Sequence, residues 1–139
     1  MKLFVDANIL VSVVNKEYPL FSSTARIMSM AGQRGVQVYT TPVCLAIAFY
    51  FAEKKHRTEK AKEKISLLCQ HIGIIPVTQD CVQQALDDKA VIDFEDGIQY
   101  YAALAQQCDY LITENIDDFY FSQMTVISSK AFLQQRSFR

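Results

Sequence analysis

The feature that most restricts this chain's fold is an alternation: short β-rich runs, several ending in a polar residue, separated by stretches with helical periodicity. Lys2 to Val5 reads as a buried strand that runs directly into Asp6. Ala7 to Val14 reads as a helix with Asp6 near its N-cap. Ser22 to Ala31 carries apolar residues at helical spacing and stops at Gly32. Val36 to Thr40 is a β-branched strand, and Pro42 opens an apolar helix through Phe51. The charged stretch 53–64 leads to an apolar face at Ile65, Leu67 and Leu68. Ile72 to Val77 is a strand, and Thr78 and Asp80 introduce a helix to Asp88. Phe94, Ile98, Tyr101, Ala102 and Ala105 share a helical face directed at the core. Tyr110 to Thr113 and Met124 to Ile127 are the last strands, before a short closing helix.

Such alternation predicts a three-layer α/β/α domain built on a parallel sheet of four to five strands. At 139 residues, with few Gly and Pro, the chain (1–139) is expected to form a single domain without linkers or repeats. Half of its residues are hydrophobic, yet no apolar run reaches membrane-spanning length. No export signal is evident either, so a cytoplasmic protein is expected. A net charge of -1 argues against a uniformly basic nucleic-acid binder and leaves room for a local patch. Cys44, Cys69, Cys81 and Cys108 include no C-x-x-C pair, which favours free thiols over a metal cluster.

In a parallel sheet, functional residues gather beyond the C-terminal ends of the strands. Asp6, Thr40, Thr41 and the segment Thr113 to Asp118 all follow strands. Asp96 falls in the first turn of its predicted helix, three residues after Asp93, where capping alone would explain either residue. Asp6, Asp96 and Asp118 are nevertheless expected to converge. Three carboxylates in one pocket repel unless a cation neutralises them, and oxygen-only ligation suits magnesium or manganese. With only two histidines the chain offers little for a zinc site.

The stretches LFVDANIL, TTPVCLAIAFYF and DFEDGIQYYAALAQQCDYLITENIDDF together resemble a PIN domain, of the kind found in VapC-like toxins of toxin–antitoxin pairs. The likeness covers nearly the whole chain. It implies a metal-dependent endoribonuclease, with magnesium or manganese held by Asp6, Asp96, Asp118 and Asn115. Asp6, Asp96 and Asp118 would be catalytic, with Asn8, Thr113 and Asp93 in support. It also implies an RNA substrate, an antitoxin partner and a homodimer.

One position departs from the family pattern. Where T-P-x-x-L-A-E is usual, this chain has Ile47 in place of the glutamate. Glu53 lies more than a turn away, and Glu95 falls on a different azimuth from Asp96, so neither is expected to substitute. The alternative reading is therefore a catalytically weakened PIN-like module that binds nucleic acid or protein. Lys54, Lys55 and Arg57, in the one basic cluster, are candidate RNA contacts, although interleaved glutamates favour a solvated helix face. Tyr100, Tyr101, Tyr120 and Phe121 are weighed as base-stacking residues against packing in the core or at a dimer face.

Overall fold

The computed structural model describes residues 1–137. Five parallel strands form one sheet in the order β3-β2-β1-β4-β5. They are β1 (Lys2–Val5), β2 (Gln37–Thr40), β3 (Gly73–Ile74), β4 (Tyr110–Ile112) and β5 (Thr125–Ile127). β1 is central because Leu3, Phe4 and Val5 are apolar and wholly buried, as a strand covered on both faces requires. Its register pairs Leu3 with Val38 on one side and Val5 with Ile112 on the other.

Seven α-helices lie among the described residues: α1 (Ala7–Val14), α2 (Phe21–Ser29), α3 (Pro42–Lys55), α4 (Thr58–Cys69), α5 (Gln79–Asp87), α6 (Phe94–Ala105) and α7 (Ser129–Ser137). They pack in two groups. α1 lies on α2 and α3, α3 on α4, and α2 on α7, whereas α5 pairs with α6. The chain moves one way across the sheet from β1 to β3 and returns for β4 and β5. Right-handed crossovers therefore put the two groups on opposite faces.

Polar residues start these helices. Asp6 caps α1, Thr41 caps α3 with Pro42 in its first turn, Thr78 caps α5 and Asp93 caps α6, each accepting a backbone N–H. Because β1 is flanked by β2 and β4, the order of the strands reverses beside it. The crevice between the C-terminal ends of β1 and β4 is thus the place where this topology leaves a site.

Some boundaries differ from the sequence expectations. The strand expected over Ile72 to Val77 is only Gly73–Ile74, since Pro76 has no N–H for a ladder. Gly73 is required there: a Cβ would lie 2.6 Å from Cδ1 of Tyr39. Helix α2 ends at Ser29 and tightens into a 3-10 turn at Met30–Gly32. Phe94, expected on the core face, is 45% exposed, while Tyr100 is buried instead. Ala105, expected on the same face, is exposed as well, because the buried face of α6 runs through Gly97, Ile98, Gln99, Tyr100, Ala102 and Ala103. All four cysteines are free thiols. No helix among the described residues is long and apolar enough to cross a membrane.

Candidate functional site

Asp6 is held where β1 becomes α1. Its backbone N–H continues the ladder to Ile112 O at 3.0 Å, so the residue ends the strand. Oδ1 then accepts from Ala7 N at 2.8 Å and Oδ2 from the Thr113 hydroxyl at 2.9 Å. The same hydroxyl accepts from Asn8 Nδ2 at 3.0 Å and from Asn115 N at 3.1 Å, which uses its full capacity. Asn8 Oδ1 accepts from Glu114 N at 3.2 Å. Asn8 and Thr113 therefore stitch the end of β1 to the end of β4, and Asp6 is oriented between them. The Cys44 thiol approaches Asp6 Oδ1 at 3.9 Å, and burial, then the charge of Asp6, pushes it up to about 12.

Burial raises the Asp6 carboxyl above its usual range, and the Asp118 charge adds to this. The Ala7 N–H, Thr113 and Cys44 partly offset the rise. On the other side of the crevice, Asp93 accepts from Asp96 N at 3.1 Å and is the cap of α6. That leaves Asp96 without capping work. Asp96 is pushed up to about 7, first by burial and then by Asp93, Glu95, Asp6 and Asp118. The charges that push it most are all carboxylates.

A cavity of about 370 Å³ opens between these elements. Asp6, Asn8, Glu17, Glu95, Asp96 and Asn115 supply its polar wall, with Glu17 exposed at the rim, and Ala7, Val11, Leu20, Ile47 and Phe51 its apolar one. Asp118, in a 3-10 helix at Ile116–Phe119, lines an adjoining cavity that shares Asn115. Its charge still reaches Asp6 and Asp96. Thr113 is wholly buried behind Asp6.

Glu95 was not expected in this wall, because its azimuth differs from that of Asp96. In the first turn of α6 both carboxylates nevertheless line the cavity. Glu95 is pushed up to about 7 by burial, then Asp6 and Asp93, with Gln99 and Asp96 pulling the other way. Gln99, one turn on and wholly buried, accepts a hydrogen bond from the Thr41 hydroxyl through Oε1. The Glu95–Gln99 spacing of four was the available sequence signal, since residues four apart are neighbours on a helix.

The basic residues sit beyond the cavity at the turn from α3 to α4. Lys54 stacks 4.5 Å over the Tyr50 ring, Lys55 donates to Asn15 O, and Arg57 is exposed. Tyr100, Tyr101, Tyr120 and Phe121 pack edge-to-face on one another, with centroids 5.0 to 5.5 Å apart. Tyr101 OH donates to Asp88 at 2.7 Å, and Tyr120 OH donates to Ala90 O. This cluster braces the loop before α6.

Among the described residues, no three His, Cys, Asp or Glu side chains form a ready-made metal cluster. The donor chemistry still suits a hard divalent cation. The wall offers oxygen ligands, its carboxylates are the leading charges that perturb one another, and among the described residues Glu95 Oε2 is buried without a hydrogen-bond partner.

A parallel α/β domain with an acidic cavity at its strand-order switch is the class that fold and site define. The PIN domain model matches residues 2–117, and the chain belongs to that family. Among solved structures, VapBC-1 from nontypeable Haemophilus influenzae superposes with a TM-score of 0.73 at 17% identity, covering 94% of this chain and 99% of that one. VapBC2 from Rickettsia felis, bound to a DNA fragment from its promoter, gives 0.70 at 18% identity over 92% and 98%. Mycobacterium tuberculosis VapC20, a toxin that cleaves the sarcin–ricin loop, gives 0.62 at 15% identity over 78% and 86%. At these identities the likeness is one of fold. No curated protein matches the chain.

Proposed function

We propose that this protein is a metal-dependent endoribonuclease of PIN type and the toxin of a toxin–antitoxin pair. The observation that carries the reading is the cavity where Asp6, Asp96 and Asn115 meet, with Asp118 beside it and, among the described residues, no cationic side chain in its lining. The likeness to VapC20 and to the VapBC assemblies supports RNA as substrate and a small antitoxin protein as partner. Magnesium or manganese would be held by Asp6, Asp96, Asp118 and Asn115. When bound it supplies an activated water and neutralises charge on the phosphodiester.

The chain's own residues prepare that chemistry. Thr113 and Asn8 fix the Asp6 carboxylate, and Asp93 holds the first turn of α6 so that Asp96 faces the cavity. The apolar wall of Val11, Leu20, Ile47 and Phe51 restricts water on the opposite side. Lys54, Lys55 and Arg57 serve as phosphate contacts for RNA approaching along α3. A separate apolar groove of about 220 Å³, lined by Val13, Val14, Met28, Leu67 and Leu68 among others, suits a protein partner. A homodimer working in the cytoplasm completes the reading.

Ile47 favours a second reading, a weakened module that binds without cutting, because its apolar side chain sits in the cavity wall. Cleavage of structured and single-stranded RNA with magnesium or manganese separates the two. Wild type should cut and Asp96→Asn should not. RNA that binds but stays intact with both metals would support the second reading.

A further inference from the structure

Ile47 removes a carboxylate from α3, and the structure contains another that faces the same cavity from α6. Glu95 and Ile47 both line the space in front of Asp6 and Asp96; Glu17 also lines it but is exposed to solvent, whereas Glu95 is half-buried. Among the described residues Glu95 Oε2 is buried with no hydrogen-bond partner. A buried carboxylate oxygen left unpaired is costly, so its place in a fold calls for a partner that arrives later.

Behind Glu95 stands Gln99, with none of its surface exposed. A relay fixes this amide. Cys44 N donates to the Thr41 hydroxyl at 3.2 Å, and the hydroxyl donates to Gln99 Oε1. Gln99 Nε2 has no hydrogen-bond partner among the described residues, yet Gln99 lies near enough to Glu95 to pull its carboxyl back toward the ionised form. The start of α3 thus holds a side chain of α6, and that side chain braces the carboxylate. A capping threonine needs no buried glutamine to do its work, so capping does not explain Gln99.

The geometry points to Glu95 as the fourth carboxylate ligand of the cation site, taking from α6 the place that Ile47 leaves open on α3, with Gln99 and Thr41 as its positioning residues. The inference rests on the metal-dependent reading above and names a residue that reading does not use. It turns Ile47 from a lost ligand into the apolar floor of a site whose carboxylate has moved to another helix.

Manganese alone is the probe. Titration of the full chain followed by electron paramagnetic resonance gives the dissociation constant, and water-proton relaxation gives the number of waters on the bound ion. Glu95→Gln should weaken binding about tenfold or more and leave the ion with one more water. Glu95→Asp should lose nearly as much, because the charge stays while the oxygen is drawn back by a methylene. Gln99→Met, with folding checked by circular dichroism, should cost about tenfold, as loss of a group orienting a ligand does. Adding Ile47→Glu to Glu95→Gln should restore the affinity and remove the extra water.

If wild type binds manganese and Glu95→Gln or Glu95→Asp binds it equally well, Glu95 is not a ligand, while the nuclease reading stands. A loss that Ile47→Glu does not recover would equally overturn the proposal. If wild type binds no manganese, the metal-dependent reading fails and this inference falls with it.

Discussion

Removing one carboxylate from the cavity should make the metal-free protein more stable, and only above mildly acidic pH. Asp96 is pushed from 3.8 up to about 7 in the folded chain, and Glu95 from 4.5 to about 7. Both folded values lie above the unfolded ones, so the native state holds protons that the unfolded chain releases. The associated stability is fully present below about pH 4 and is lost as pH rises through about 7. Taken whole, the Asp96 shift corresponds to about 4 kcal/mol. Both groups are partly exposed, and solvent screening reduces the sum for the pair to about 2–3 kcal/mol. Asp96→Asn cancels one charge and relieves Glu95, and should gain about 1–2 kcal/mol at pH 8. For a chain of this size that is a rise of about 4–8 °C in melting temperature. Thermal unfolding followed by circular dichroism in EDTA, from pH 4.5 to 8, measures it. The difference between variant and wild type should grow through this range and be near zero at its acid end. A variant that melts with or below wild type at pH 8, or a difference that does not change with pH, would refute the argument from repulsion.

Two further outcomes test the frame around the cavity. Thr113→Val keeps the shape but removes the donor to Asp6 Oδ2 and the acceptor for Asn8 and Asn115 N, all in or beside buried structure. It should cost about 1–3 kcal/mol in urea unfolding, and an unchanged midpoint would mean the network is not stabilising. Gly97→Ala would place a Cβ 2.5 Å from Val91 Cγ1 and 3.1 Å from Ala85 Cβ, where α6 meets α5. It should destabilise by about 1–3 kcal/mol, with Val91→Ala recovering part of the loss in a double-mutant cycle.

Local chemistry made much of this protein readable in one dimension. The apolar run Leu3 to Val5, the proline opening α3 and the threonine and aspartate caps act over a few residues, so their consequences follow from order alone. Period and chain direction were enough to place Asp6 and Thr113 at one edge of a parallel sheet, because a strand's polar terminus must lie beyond its buried middle. The extent of β3 and the exposure of Phe94 depended on neighbours: a sheet edge that Pro76 cannot extend, and a helix whose buried face is turned to Gln99, Tyr100 and Ala103. Glu95 shows the difference most clearly. On an ideal helix its azimuth separates it from Asp96, and sequence reasoning sets it aside. In the folded chain the first turn of α6 faces a cavity wide enough to take both side chains, and Thr41, fifty-eight residues from Gln99, fixes the amide behind one of them. Which carboxylates share a space is a property of three packed elements, and no spacing along one of them contains it.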